Sequence, residues 1–303
     1  MNVVLDPCEI CGNANWHIQY RGKIREGGFG SLTQEDGTVG KCSRCGVERL
    51  DEASCKDETF YGTEDYRNFL REPKDAAGFF LQHDETQLRN LTFLWPESLR
   101  NRVVADIGCA AGSFLDHVSG IAGNVVSVEP CRGYHESLKE RGYHVYPYAA
   151  DAVAEWGGRI DFAFCFSVIE HVRNPRLFLE EVRKLLSPQG KLIVSTPNRR
   201  DILMELKGEV YRRFFYRAVH RWYFDAESFA YCGRKAGFRL LETRWVHRFG
   251  LSNAMAWLRD GRPTGSAPLP HLDSPHLDAF WKAYLESRGV SDYLYFKLTI
   301  QDS

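Results

Sequence analysis

Two cysteine pairs near the start of the chain have the spacing of a metal site. Cys8 and Cys11 form one Cys-x-x-Cys-Gly turn, and Cys42 and Cys45 form a second one. Two thiolates three residues apart can bind one ion from a tight turn, and four of them make the closed tetrahedral set typical of structural zinc. We therefore expect a small zinc-ribbon-like module over residues 1–58 that leaves no open position for catalysis. Unligated thiols and a redox-active pair are the alternatives.

A strand, a turn of small residues and the start of a helix follow one another over residues 103–118. The turn has Gly108, Ala110 and Gly112 at every second position, so a ligand can lie against the backbone near a helix N-terminus. Asp106 comes just before the turn, where its carboxylate would repel a pyrophosphate. The pattern therefore differs from the G-x-G-x-x-G dinucleotide fingerprint and favours a ligand that carries positive charge.

Two further acids follow the next predicted strands. Glu129 closes the predicted strand 124–128, where a carboxylate can accept hydrogen bonds from both hydroxyls of a ribose. Asp151 comes after the predicted strand 143–146 and could accept a hydrogen bond from an adenine amino group. Because ligands of parallel sheets bind at the carboxyl ends of the strands, we expect both acids near the turn of small residues.

A short polar stretch follows the predicted strand 160–166 and contains Ser167, Glu170 and His171. Histidine titrates near neutral pH, so His171 is the best candidate for a general base by type and position. Glu170 could orient its ring. The alternative is a histidine that only bonds the helix that follows. His220, in a later segment, is the second candidate base.

Strands and helices alternate along the segment that must position these residues. We predict strands at 103–107, 124–128, 143–146, 160–166, 191–195, 238–246 and 293–300. Helices are predicted at 79–99, from 113, and at 134–141, 175–186, 226–236 and 277–287. Such alternation produces right-handed crossovers and a parallel sheet. The expected fold is α/β and Rossmann-like, with seven mostly parallel strands and an antiparallel strand 293–300 at its edge.

The composition is that of an ordinary globular protein. Of 303 residues, 44% are hydrophobic and 26% are charged, and the net charge of -1 gives no general attraction to nucleic acid or to an anionic membrane. The sequence has no apolar run of about 18 residues, and its first residues lack the features of a signal peptide. We therefore expect a cytoplasmic protein with no membrane partner, whose nine cysteines are metal ligands or buried thiols.

The stretch Asp-Ile-Gly-Cys-Ala-Ala-Gly-Ser-Phe at 106–114 resembles motif I of the class I S-adenosylmethionine (SAM) methyltransferases. The stretch from Ser167 to Pro175 is also typical of that family. A related ubiquinone-type family binds a divalent metal through a glutamate where this chain has Ser167, so we expect no metal there. The resemblance implies SAM as cofactor, held by Asp106, Gly108, Ala110, Gly112, Glu129, Asp151 and Ser167. It implies a methyltransferase domain at 59–303, with its core at about 79–245 and lid and edge-strand elements at 199–225 and 250–303.

The acceptor is indicated by a second resemblance. Two Cys-x-x-Cys knuckles followed by Phe60-Tyr61-Gly62 are similar to a subgroup that includes sugar C-methyltransferases acting on nucleotide-linked deoxysugars. This implies a small-molecule acceptor, such as a sugar, a nucleotide-sugar or a natural-product intermediate. An RNA methyltransferase that uses the ribbon to bind RNA is the first alternative. Acidic residues balance the cations of residues 1–55, so the ribbon offers no basic surface for nucleic acid. A non-catalytic SAM-fold binding protein is the second.

Three segments have two interpretations each. Tyr61 and Tyr66 could line a substrate pocket or only pack the ribbon against the main domain. Residues 260–276, rich in glycine and proline, could be an irregular loop or a lid. Residues 199–221 carry the one local excess of positive charge, which is either a solvated helix face or a lid that holds substrate phosphates. Its cations are Arg199, Arg200, Lys207, Arg212, Arg213, Arg217 and Arg221.

Overall fold

A computed structural model of the chain describes residues 5–28, 30–63, 65–70, 73, 75–94, 97–262 and 269–301. The chain forms two compact units. The N-terminal unit comprises Met1–Lys56, Ser195–Cys232 and Thr243–Tyr295. The central unit comprises Asp57–Val194, Gly233–Glu242 and Phe296–Ser303. Part of the predicted loop 260–276 lies outside the described residues.

The strands of the described chain are β1 (Trp16–Gly22), β2 (Gly37–Cys42), β3 (Glu48–Leu50), β4 (Val103–Ile107), β5 (Asn124–Val128), β6 (His144–Tyr146), β7 (Ile160–Phe166), β8 (Leu186–Pro197), β9 (Trp222–Tyr223), β10 (Phe238–Val246) and β11 (Tyr293–Ile300). Its α-helices are α1 (Asp65–Leu70), α2 (Ala76–Asn90), α3 (Ser113–Ser119), α4 (His135–Glu140), α5 (Ala149–Trp156), α6 (Pro175–Leu185), α7 (Ile202–Leu206), α8 (Glu209–Phe215), α9 (Ala226–Lys235), α10 (Leu251–Asp260) and α11 (Pro275–Ser287). None of the helices so described is both long and apolar enough to cross a bilayer.

A seven-stranded sheet organises the central unit, with the strand order β10-β11-β8-β7-β4-β5-β6. The β4–β5, β4–β7 and β5–β6 pairs are parallel, which confirms the predicted α/β architecture. Its middle strands read as apolar runs because both faces are covered; Val104, Ala105 and Phe164 are fully buried. The register pairs Ile107 with Val128, so the segments that follow β4 and β5 begin side by side.

The prediction that residues 293–300 form the edge of the sheet is wrong. β11 lies between β10 and β8, and β10 is the terminal strand. The burial pattern explains the difference, since β11 is buried over its first six residues and β10 is mostly half-buried. Lys297 in β11 is buried and directs its ammonium group to Glu242 at 3.6 Å.

The longest predicted helix differs from the structure in its limits. The helix expected at 79–99 begins at Ala76 and ends at Asn90, and a 3₁₀ turn continues the chain to Leu94. Asp75 caps its start by accepting a hydrogen bond from Gly78 N at 2.8 Å. Pro96, the expected stop, lies outside the described residues. α5 was not predicted at all, because the sequence after β6 offered no helix cap of the usual type.

A second sheet, of four strands, organises the N-terminal unit in the order β1-β2-β3-β9. β3 and β9 are antiparallel, with Glu48 opposite Tyr223 and Arg49 opposite Trp222. The cysteine-bearing segment therefore takes its fourth strand from a part of the chain about 170 residues further on. Trp222 is fully buried in this arrangement.

A buried charge network supports the N-terminal unit. Arg199 donates to Glu48 at 3.1 Å and also pairs with Asp225, and the side chains of both acids are 6% exposed. The Tyr216 hydroxyl donates to Glu48 at 2.9 Å, and burial raises the pKa of Glu48. Interpreting residues 199–221 as a solvated face is therefore wrong for Arg199, and it is also wrong for the buried Arg221, which pairs with Glu52.

Replacing the shared cation should destabilise the protein strongly. Arg199→Met leaves two buried carboxylates without their partner and should lower the free energy of unfolding by about 3–5 kcal/mol. Without the guanidinium the pKa of Glu48 rises further, so the loss should be larger at pH 8 than at pH 5. Urea unfolding at both pH values measures it. The exposed Arg200→Met is the control, and equal losses in the two variants would contradict the network.

Candidate functional site

The turn after β4 is built around three residues with positive φ. Gly108, Ala110 and Gly112 have φ values of 83°, 49° and 84°. Gly108 N donates to Val128 O at 2.7 Å, which ties the turn to the end of β5. A Cβ at Gly108 would lie 2.4 Å from Cγ2 of Val168, so only glycine fits there. The motif after β4 and the motif after β7 are thus in direct contact.

Asp106, near the carboxyl end of β4, has a buried carboxyl group. It is 4% exposed, and no group of the described chain donates a hydrogen bond to its carboxylate. Burial, and then the negative charge of Glu129, raise the pKa of Asp106 to about 8. A ligand with a cationic hydrogen-bond donor would satisfy this group and stabilise its ionised form.

Glu129 follows β5 and binds the turn directly. Its Oε2 accepts a hydrogen bond from Ala110 N at 2.7 Å, and its Oε1 accepts one from Cys131 N at 2.8 Å. The structure therefore brings together Glu129 and the turn, as the sequence predicted from their order along the chain. A carboxylate offers about four acceptor positions, so hydroxyl groups of a ligand can share it with the backbone.

Helix α2 holds the start of α3 through contacts that the sequence does not reveal. Gly112 is the N-cap of α3, and the hydroxyl of Ser113, the first residue of the helix, donates to Asp84. His117 Nε2 lies 3.3 Å from the Asp84 carbonyl oxygen. The sequence around Asp84 does not indicate this contact, because an acidic residue on one face of a helix usually marks the solvent-exposed side.

The polar stretch after β7 has a defined aromatic environment. Ser167 is exposed and has a φ of 57°, and Glu170 is 1% exposed. His171 is half-buried, with its Nδ1 3.3 Å from the Tyr61 hydroxyl. The rings of Tyr61 and Tyr66 pack on it edge to face, with centroids at 5.3 and 5.9 Å. The two tyrosines therefore contact the candidate base.

Asp151 and His220 are the two remaining candidates from the sequence. Asp151 is exposed in the first turn of α5, where its carboxylate accepts a hydrogen bond from Tyr148 N at 3.2 Å. Its contact with adenine stays a prediction. His220 is buried in the N-terminal unit, and its Nε2 lies 3.2 Å from Nη1 of Arg217. Since a guanidinium can only donate, this nitrogen accepts, which disfavours Nε2 as the atom that takes a proton.

The four predicted metal ligands form one cluster. The sulfur atoms of Cys8, Cys11, Cys42 and Cys45 all lie within 4.8 Å of one another. The Cys8–Cys45 and Cys11–Cys42 sulfurs are 3.7 and 3.5 Å apart, and none of the four forms a disulfide. A tetrahedral zinc with bonds of about 2.3 Å holds its sulfurs about 3.8 Å apart. The glycine after each pair has a positive φ, 72° and 74°, which closes each knuckle. The cluster therefore fits one zinc ion.

Comparison with known proteins identifies the family of the domain. A family model described as "Methyltransferase domain" matches residues 80–243, more than half of the chain. The ubiquinone biosynthesis O-methyltransferase of Azorhizobium caulinodans is 31% identical over 149 residues, covering 46% of this chain and 56% of that protein. The protein of the same name from Bradyrhizobium diazoefficiens is 29% identical over 127 residues, covering 39% and 50%. The chain thus spans about half the length of the curated relatives it matches.

Among solved structures, the chain resembles one from the complex between the Haloferax volcanii Trm112 methyltransferase activator and a methyltransferase. The TM-score is 0.52 at 12% identity, covering 75% of this chain and 96% of that one, so the likeness concerns the fold. The fold agrees with the matched family model. The chain therefore belongs to the family of class I SAM-dependent methyltransferase domains.

Proposed function

We propose that the protein transfers a methyl group from SAM to a small-molecule acceptor. The observation that carries this proposal is the buried Asp106 carboxylate, to which the described chain donates no hydrogen bond. SAM has an ammonium group, a sulfonium centre and a ribose, so it offers the cation and the hydroxyls that two neighbouring carboxylates require. When bound, it supplies an already activated methyl group, which leaves the protein to bind, orient and remove a proton.

In this proposal each residue of the turn has a role in binding. Asp106 holds the ammonium group, and the backbone from Gly108 to Gly112 lies against the methionine part. Glu129 accepts hydrogen bonds from the ribose hydroxyls while it keeps its bond to Ala110 N. The roles of Asp151 toward adenine and of Ser167 at the end of β7 remain predictions of the family resemblance.

His171 is the proposed base for an oxygen or carbon acceptor. When its Nδ1–H donates to the Tyr61 hydroxyl oxygen, the lone pair is on Nε2. The acceptor's proton then passes to Nε2 as the acceptor atom takes the methyl group. In this tautomer Tyr61 orients the His171 ring, and it is therefore a positioning residue. The names of the curated relatives favour an oxygen acceptor, while the sugar or natural-product class stays a prediction.

We also propose that the cysteine cluster binds one structural zinc ion. Four thiolates close the coordination shell, so the metal would hold the two knuckles together and take no part in the reaction. β1–β3 would depend on it, because the knuckles precede β1 and join β2 to β3.

The cofactor roles predict selective losses of affinity. Asp106→Asn should weaken S-adenosylhomocysteine binding about 10- to 100-fold, since a hydrogen bond to a charged group contributes about 1.5–3 kcal/mol. Glu129→Gln should weaken it about 10-fold. Titration calorimetry measures both, with the exposed Glu136→Gln as control. Asp106→Asn should also raise the stability of the ligand-free protein at pH 8, because burying the ionised carboxylate costs free energy above its normal pKa. Unchanged affinity in both variants would remove the site assignment.

The base role predicts a loss of rate with cofactor binding retained. His171→Asn should lower methyl transfer about 10²- to 10⁴-fold, and Tyr61→Phe should lower it less and shift its pH profile. Radiolabelled methyl transfer from SAM to a panel of catechols, sugars and nucleotide-sugars identifies the acceptor and gives the rates. S-adenosylhomocysteine affinity should stay within about twofold in both variants, since the proposal gives neither residue a part in cofactor binding. Full activity in His171→Asn would exclude it as the base.

The zinc proposal predicts one metal ion per chain. Elemental analysis of the purified protein should find one zinc, and Cys42→Ser should lose it and lower the melting temperature. Cys55→Ser is the matched control, since Cys55 belongs to the same unit but not to the cluster. Full zinc content in Cys42→Ser, or none in the parent protein, would contradict the proposal.

A further inference from the structure

Two arginines of the N-terminal unit lie side by side although their charges repel. An isolated parallel bridge joins Arg25 to Arg217. Arg25 N donates to Tyr216 O at 2.9 Å, and Ala218 N donates to Arg25 O at 3.1 Å. Burial, and next the positive charge of Arg217, lower the pKa of Arg25 to about 9. The fold thus holds two cations together in a half-buried place.

Aromatic and neutral groups fix these two side chains. The Arg25 guanidinium lies 4.2 Å above the ring of Phe214. Arg217 Nη1 donates to His220 Nε2 at 3.2 Å, and Arg217 N donates to the Tyr223 hydroxyl at 2.9 Å. The guanidinium planes are therefore oriented in advance, and this lowers the entropy lost when they bind an anion.

Other cations of the same unit are matched by carboxylates. Arg199 pairs with Glu48 and Asp225, Arg221 pairs with Glu52, and Lys56 lies 3.1 Å from Glu26. By contrast, no acid in the described part of the chain forms an ion pair with Arg217. A half-buried cation beside a like charge lowers stability, and a bound anion would remove that cost.

We propose that Arg25 and Arg217, the latter oriented by His220, bind a phosphate group of a small-molecule ligand, such as a sugar phosphate or a nucleoside diphosphate. Two guanidinium groups match a phosphate in charge and can each donate a pair of hydrogen bonds to it. Within the cationic segment 199–221, Arg199 and Arg221 thus have structural ion pairs, and Arg217 is kept for an anion. That this ligand is the methyl acceptor rests on the proposed function, whereas the anion site itself does not.

Titration calorimetry with uridine diphosphate and with inorganic pyrophosphate tests the site on the full chain. Both should bind, and uridine should not. Arg217→Gln should weaken binding about 10-fold or more. Arg217→Lys should have an affinity between those of the parent protein and Arg217→Gln, because it keeps the charge but loses the paired donors. Arg213→Gln is the control, since Arg213 is an exposed arginine of the same segment, and it should change the affinity less than twofold.

Melting temperature gives a second readout that a structural arginine would not produce. Ligand-free Arg217→Gln should melt at a higher temperature than the parent, since it removes one of two adjacent like charges. Absence of binding to the parent protein, or unchanged affinity in Arg217→Gln with a lower melting temperature, would overturn the site. The site would also be overturned if a single-stranded RNA bound more tightly than uridine diphosphate and if Arg213→Gln weakened that binding as much as Arg217→Gln does.

S-adenosylhomocysteine, measured in parallel, separates this proposal from the proposed function. Arg217→Gln should keep its affinity for S-adenosylhomocysteine, because Arg217 has no part in cofactor binding. If the parent protein binds uridine diphosphate through Arg217 but not S-adenosylhomocysteine, the proposed function fails and the anion site stands.

Discussion

Two neighbouring carboxylates, one of them buried without a hydrogen-bond donor in the part of the chain that the structure describes, define the ligand-binding edge of the sheet in the central unit. Asp106 and Glu129 end neighbouring parallel strands, and Glu129 raises the pKa of Asp106 beyond the effect of burial. Glu129 is satisfied by the backbone of the turn and of the segment after β5. Asp106 receives no such bond from the described chain. Burying an ionised group without a partner costs free energy, so a cationic ligand would stabilise this edge of the sheet.

The neighbouring elements keep this edge in place. Gly108 fits because Val168, from the stretch after β7, occupies the space where a side chain would be. Asp84 on α2 binds the first residue of α3, and Arg141 after α4 donates to both oxygens of Asp116 at 2.6 and 2.7 Å. Three segments that are far apart in sequence thus constrain one short turn. Such rigid support is what a site needs if it is to orient a reactive methyl group.

Most strands of the central unit could be predicted from short stretches of sequence. The limits of β4, β5 and β7 follow from continuous apolar runs, and α6 follows from Asn174 as cap and Pro175 at its first position. The turn after β4 and Glu129 could be singled out because the spacing of these residues along the chain is characteristic. These predictions succeed because the strand, turn and cap rules act over a few residues.

Features that depend on distant pairing were missed. Nothing near Glu48 shows that Arg199 will meet it, and the two-residue strand β9 is too short to give a pattern. The place of β11 inside the sheet is set by its pairing with β10 and β8, which its own sequence does not specify. The contact of Tyr61 with His171 joins residues 110 positions apart, and the sequence, which favoured packing of Tyr61 against the main domain over a pocket, did not indicate this partner. Each of these is decided by tertiary packing, for which a single sequence carries no local code.

The most direct test of the account is proton release when the cofactor product binds. At pH 7 the Asp106 carboxyl, with a pKa of about 8, is mostly protonated, and a bound ammonium group would lower that pKa. Calorimetric titration with S-adenosylhomocysteine in two buffers of different ionisation enthalpy measures the protons released. The account predicts release of nearly one proton at pH 7, falling toward zero above pH 9 and absent in Asp106→Asn. Binding with no proton release at pH 7, or equal release in Asp106→Asn, would contradict it.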